Sequence, residues 1–158
     1  MSNLTDISDV IIIGSGPAGL SAAIYVVRAG LSVNVIEKEF MGTGQIADSS
    51  KVDNYLGIPA ISGYDLGESF REHALSLGVT IEDNNVTRLT PVDDIWELEL
   101  SDGSTKKARC VIYAAGCSHK KLQAENEEQY TGKGISYCAV CDGAFYKDKD
   151  VAVVGGGD

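Results

Sequence analysis

The stretch that most constrains the fold runs from Val10 to Glu37. Val10-Ile11-Ile12-Ile13 is a continuous β-branched run, the pattern of a strand buried on both faces of a parallel sheet. It stops at Gly14-Ser15-Gly16-Pro17-Ala18-Gly19, and Leu20 to Arg28 then predicts a helix closed by Gly30. Ser32-Val33-Asn34-Val35-Ile36-Glu37 predicts a second strand, whose terminal acid stands 18 residues after Gly19. A Gly-x-Gly-x-x-Gly motif is weak evidence by itself. Set between a strand and a helix, with a carboxylate at this spacing, it is the fingerprint of a turn that receives a dinucleotide. Gly14 allows the tight turn, Gly16 lets the backbone approach a pyrophosphate, and Gly19 lets the helix pack close to the strand. The helix N-terminus favours the anion, and the acid meets a ribose diol. The alternative is a glycine turn in a βαβ unit that holds no ligand.

From Lys38 to Pro59 periodicity is lost, and the marked features are Gly42-Thr43-Gly44-Gln45 and Asp53-Asn54-Tyr55-Leu56-Gly57. Long loops inside compact domains are usually functional. Ser62, with Asp65 three residues later, predicts a helix start, and Leu66, Phe70, Ala74 and Leu77 carry an apolar stripe to Gly78. Val79 to Glu82 reads as a third parallel strand. Val86 to Leu89 and Ile95 to Leu100 read as antiparallel strands of a small meander, turned back at Asp102-Gly103. Arg109 to Gly116 is again a buried strand ending in small residues, with Cys110 as inert core. Ser118 to Lys133 is polar and charged, the composition of a surface linker, and places a domain boundary. One domain therefore spans 1–117, and 118–158 holds a linker, a cysteine motif and the start of a second unit. Asp150-Val151-Ala152-Val153-Val154 predicts another buried strand, and Gly155-Gly156-Gly157-Asp158 opens a second glycine fingerprint. A parallel strand needs a crossover helix, and a fingerprint needs the helix that follows it. The second unit is thus expected to be a fragment, from a truncated or cleaved polypeptide or one with a companion chain.

Ser136-Tyr137-Cys138-Ala139-Val140-Cys141-Asp142-Gly143 carries the chemistry. Cys138 and Cys141 can close into a disulfide or open into a thiolate beside a resolving thiol, and Asp142 can move protons. The alternative is half of a structural zinc site, but the chain has only two histidines, His73 and His119, to help complete the set of four ligands. No metal is expected. Four cysteines without a secretory signal point to reactive thiols in a cytoplasmic protein. Thirteen basic against 23 acidic residues give a net charge of −10, which argues against a nucleic-acid partner. The longest apolar run is too short to span a bilayer, so no membrane partner is expected.

Taken with Gly44-Gln45, Asn54, Ala115-Gly116 and Val154-Gly155-Gly156-Gly157-Asp158, the fingerprint and the cysteine motif resemble those of low-molecular-weight thioredoxin reductases. The resemblance covers essentially the whole chain, and the order of motifs is more specific than any one of them. It implies an α/β fold: a three-layer, Rossmann-like (ββα) FAD-binding domain, incomplete here, followed by the start of a second Rossmann-like domain for NADPH. It implies that Ser15, Gly16, Pro17 and Ala18 lie at the FAD pyrophosphate, Glu37 at the adenosine ribose, Gln45 and Asn54 near the flavin and Val86 against adenine, with Gly14, Gly19 and Gly116 completing the site. Cys141 becomes the thiol next to the flavin, Cys138 the one that attacks thioredoxin or a thioredoxin-like protein, and Asp142 the proton donor. The implied enzyme is a homodimeric thioredoxin-disulfide reductase fed by NADPH. Relatives fed by ferredoxin share these motifs, and a non-catalytic FAD-binding redox module is the alternative from another class. Two departures stand out: Thr43 between the glycines before Gln45, and Cys117-Ser118-His119 after Gly116.

Overall fold

The computed structural model describes residues 7–155, the side chains of Val140 and Cys141 excepted. The chain divides into two compact units, Met1–Gly116 and Cys117–Asp158. The first contains β1 (Ile7–Ile13), α1 (Pro17–Arg28), β2 (Val33–Glu37), a 3₁₀ turn at Gln45–Asp48, α2 (Gly63–Ser76), β3 (Thr80–Asp83), β4 (Val86–Val92), β5 (Ile95–Leu100) and β6 (Thr105–Tyr113). The six strands form one mixed sheet in the order β3-β2-β1-β6-β5-β4. β1 pairs in parallel with β2 and β6, and β2 with β3, whereas β4, β5 and β6 form the antiparallel meander. β6 belongs to both parts, its first half paired with β5 and most of its length with β1.

The two-residue period of a strand explains the layers. Val10 and Ile12 pack with Leu20 and Ala23 of α1, Ala74 of α2, Val35 and Val79. Ile11 points the other way, into Ile36, Leu98, Leu100 and Ala108. Helices cover one face of β1 and the meander covers the other, so the run from Val10 has no polar position to spare. Ile11 and Ile12 are both 0 % exposed, and burying each stabilises the unit by about 1.5–3 kcal/mol. This is the expected α/β, Rossmann-like arrangement. Lys106 of β6 pairs with Glu82 of β3 at 2.6 Å, and Lys107 with Glu97, opposite it on β5, at 2.8 Å. α2 starts where predicted: Ser62 accepts from the Asp65 N–H at 3.0 Å and donates its hydroxyl to the Asp65 carboxylate at 2.6 Å.

The second unit holds two single-turn helices, α3 (Glu127–Tyr130) and α4 (Ala139–Asp142), then a 3₁₀ turn at Gly143–Tyr146. Two expectations are corrected. Residues 150–154 are not a strand, and Val151, Val153 and Val154 are exposed. A strand exists through its ladder, and no described segment of this unit pairs with it. The region from Ser118 to Lys133 is exposed except at Glu127, around which the chain folds. Cys110 is exposed rather than core. It stands beside Val10 in the β1–β6 ladder, on the sheet face where α1 and α2 pack chiefly over β1 and β2. The opening of the second fingerprint, Gly156 to Asp158, lies outside the described residues.

Candidate active site

In the first unit the fingerprint turn is built around a buried carboxylate. Ser15, 0 % exposed, donates its N–H and its hydroxyl to Glu37 Oε2 at 2.7 and 2.8 Å, and the Glu39 N–H donates to Oε1 at 3.0 Å. The Ser15 hydroxyl also lies 2.5 Å from the Gly42 carbonyl, so its single proton serves two acceptors. α1 begins with Gly16 as an N-cap that has no side chain to bond the first amides, Pro17 at the first position and no acid in the first turn. Its leading N–H groups are therefore left for an anion.

Burial pushes the Glu37 carboxyl up, but the N–H groups of Glu39, Ser15 and Lys38 and the Ser15 hydroxyl outweigh it and hold the group below its ordinary value of 4.5. A depressed folded pKa means that Glu37 contributes stability above pH 4.5 and that the contribution is lost as pH falls through the lower folded value. Glu37→Gln is expected to cost about 1–3 kcal/mol at pH 7. The gap to the wild-type protein should close as urea melts are taken from pH 6 to pH 3. A gap independent of pH would show that the Glu37 charge does not hold the turn.

Other predicted residues gather around this turn. A Cβ at Gly14, where φ is +104°, would run into the Ala114 carbonyl and approach Ala115 Cα to 3.1 Å. The tail of β6 leading to Gly116 therefore lies against the fingerprint. A Cβ on Gly44 would come within 3.0 Å of Gly16 Cα, so the 42–44 segment covers the turn, and Gln45 follows it directly. Thr43 is buried against α2, and Gly67 is what admits it, since a Cβ there would lie 2.8 Å from Thr43 Cβ. Asn54 is exposed in the 51–60 loop, and Val86 packs on the Ile11–Leu98–Leu100 cluster.

In the second unit Cys138 is disulfide-bonded. The side chain of Cys141 lies outside the described residues. A sulfur in a disulfide is not a thiolate ligand for zinc, and among the described residues no three His, Cys, Asp or Glu side chains are placed to hold a metal. The Asp142 N–H donates to the Cys138 carbonyl at 3.0 Å, closing α4. The Ser136 hydroxyl donates to Asp142 Oδ2 at 2.6 Å and accepts from the Cys138 N–H at 3.1 Å. On the other side of the motif, the Tyr137 hydroxyl donates to the Glu127 carboxylate, and its ring stacks on His119 with centroids 5.6 Å apart. Glu127 also accepts the N–H groups of Leu122, Gln123 and Ala124 at 3.1, 2.7 and 3.3 Å. The Tyr137 hydroxyl, and against burial these N–H groups, hold the Glu127 carboxyl below its ordinary value.

Ser136, Tyr137 and Glu127 escaped the sequence reading as site residues. The signal for Glu127 was an acid three residues after a chain turn, where a carboxylate reaches back to free amides. The arrangement as a whole sets a disulfide beside a carboxylate that is itself held in place, the equipment for dithiol–disulfide exchange.

Residues 8–158 match the model of a family described as pyridine nucleotide-disulphide oxidoreductase. The chain belongs to the pyridine nucleotide-disulphide oxidoreductase family. Within it, a thioredoxin reductase from Bacillus subtilis is 46% identical over 154 residues, covering 96% of this chain and 48% of the relative. The crystal structure of a thioredoxin reductase from Streptococcus pyogenes superposes with a TM-score of 0.77 at 38% identity, over 90% of this chain and 46% of that one. A ferredoxin-flavin thioredoxin reductase from Clostridium acetobutylicum gives 0.68 at 35% identity, over 90% and 48%. The chain spans about half the length of the curated relatives it matches.

Proposed function

We propose that the chain forms the FAD- and disulfide-bearing half of a thioredoxin-disulfide reductase, which passes electrons from NADPH through FAD and a Cys138–Cys141 disulfide to thioredoxin or a thioredoxin-like protein. The observation that carries this reading is the disulfide-bonded Cys138 in a turn that sets Asp142 against Ser136, in a member of the pyridine nucleotide-disulphide oxidoreductase family. Bound FAD supplies a two-electron carrier between the nicotinamide and the disulfide. The residues present fit it. The uncapped start of α1 suits a pyrophosphate over Ser15 to Ala18, with Gly14 and Gly19 keeping the turn tight. Glu37 is ionised and sits on that turn, and one Oε2 lone pair becomes available to a ribose hydroxyl when Ser15 gives its proton to the Gly42 carbonyl. Gln45 and Asn54 are taken as the flavin-side contacts, Val86 as the adenine contact and Gly116 as the close-approach residue near the turn.

In this reading the Cys138 thiolate attacks the disulfide of thioredoxin, Cys141 resolves the mixed disulfide, and Asp142 hands a proton to the departing sulfur. A homodimer acting in the cytoplasm, without nucleic-acid or membrane partners, belongs to the same proposal. Among the described residues no helix is long and apolar enough to cross a membrane. Reduced ferredoxin is the second reading for the donor, favoured by the similarity to the Clostridium acetobutylicum enzyme.

The roles of the two thiols are tested in the full-length protein by exchanging each for serine. Cys141→Ser is expected to accumulate a stable mixed disulfide with a thioredoxin on non-reducing gels, and Cys138→Ser is not. Trapping by Cys138→Ser instead would reverse the roles. Trapping by neither would overturn the reductase reading.

A further inference from the structure

We infer that Ser136 is a positioning residue for Asp142, holding its carboxyl at the Cys138 turn in both of its protonation states. The inference rests on the proposed role of Asp142 as proton donor. Asp142 ends a four-residue helix, where a short acidic side chain has several rotamers open to it. The 2.6 Å bond from the Ser136 hydroxyl selects one of them. Ser136 is in turn fixed by the Cys138 N–H, which donates to its oxygen at 3.1 Å. The hydroxyl proton has a second acceptor in reach, the Cys138 carbonyl at 3.3 Å, but the shorter, charge-assisted bond to the carboxylate takes it.

When the carboxyl carries a proton the same atoms serve in reverse. The acid donates to Ser136 Oγ, and the hydroxyl proton turns to the Cys138 carbonyl, with no heavy atom displaced. Asp142 can therefore gain and lose its proton without leaving the Cys138 turn. In the step it assists, an external dithiol supplies the electrons. One of its thiolates attacks a sulfur of the Cys138 disulfide, a mixed disulfide forms, and the displaced sulfur leaves with the bonding pair and takes the proton from Asp142. The second thiolate then closes the reductant into a cyclic disulfide and releases the other protein thiol, which takes its proton from water, as Asp142 does when it is recharged.

The test uses dithiothreitol as the reductant and this chain without flavin or thioredoxin, with the disulfide content read by alkylation and mass. Asp142→Asn is expected to slow reduction about tenfold, and Ser136→Ala about fivefold, a modest share of what a positioned acid contributes. The double variant should be no slower than Asp142→Asn, because a residue that acts through another adds nothing once that other is gone. Ser136→Thr and Ser136→Val form a matched pair that differs by the hydroxyl, so any cost to packing is shared; Thr should recover most of the rate and Val should not. Equal rates for Thr and Val, or a double variant slowed by the product of the single effects, overturn the role of Ser136. Asp142→Asn reduced at the wild-type rate overturns Asp142 as donor and Ser136 with it. Failure of the thioredoxin reading appears in the trapping experiment and not in this one.

Discussion

Gly19→Ala is expected to cost the first unit about 4 kcal/mol or more, the scale of the rare, severe substitutions. Gly19 lies in the first turn of α1, and a Cβ built there overlaps the carbonyl oxygen of Gly14, with the Gly14 carbonyl carbon at 3.0 Å and Ile12 Cγ2 at 3.4 Å. The obstacle is backbone, and it cannot swing aside. The Gly14 carbonyl shares its peptide with the Ser15 N–H, which is bonded to Glu37 Oε2 at 2.7 Å. The peptide before it is tied to β2 by the Gly14 N–H bond to the Ile36 carbonyl at 2.9 Å, so moving the carbonyl pulls the end of β1 away from β2. Either the helix lifts from the sheet, exposing Leu20 and Ala23, or the first ladder frays. Domains are typically stable by about 5–15 kcal/mol, so a loss of this size removes much of the margin. Trp96 is the sole tryptophan and packs against the meander-side cluster, so its fluorescence follows this unit. The melting midpoint should fall by about 10 °C or more. A midpoint within about 2 °C of wild type would mean that α1 and β1 do not meet as closely as described.

What could be read in the sequence and what could not divide along physical lines. β1 was legible because a strand covered on both faces can have no polar residue, and four β-branched residues in a row leave few other readings. The start of β6 was not. Thr105 to Ala108 carries Lys106 and Lys107, which look like loop residues until each finds a carboxylate, Glu82 on β3 and Glu97 on the adjacent β5. The spacing put Glu37 at the end of β2, where it stands, but its bonds to the Ser15 N–H and hydroxyl were invisible, because they depend on where the turn brings Ser15. Glu127 shows the limit of composition. In a run of charged residues one carboxylate is buried by three consecutive amides and a tyrosine, and nothing in the count of charges distinguishes it from Glu125 or Glu128. The valines at 151, 153 and 154 show the opposite error, since β-branched residues favour a strand only where another strand is there to pair with them.

Gly16 is expected to behave in the opposite way to Gly19, which makes it the sharper probe of function. Its φ is −66°, a value open to any residue. An added Cβ would meet only Gly44 Cα at 3.7 Å and the Thr43 carbonyl oxygen at 3.8 Å, ordinary contact distances. The fold therefore does not require glycine at this position, whereas a pyrophosphate approaching the start of α1 does, because it needs the main chain bare to reach the amides. Gly16→Ala should melt within about 3 °C of wild type while weakening FAD binding about tenfold or more, the equivalent of about 1.4 kcal/mol. Gly16→Val, which adds two further carbons on the same side, should be isolated without flavin. The measurements are flavin absorbance after desalting and titration of the apoprotein with FAD, each beside a melting curve. A folded Gly16→Val protein with full flavin absorbance would remove this turn from the cofactor site. A Gly16→Ala protein that melts as early as Gly19→Ala would show that the glycine is there for the chain and not for the ligand.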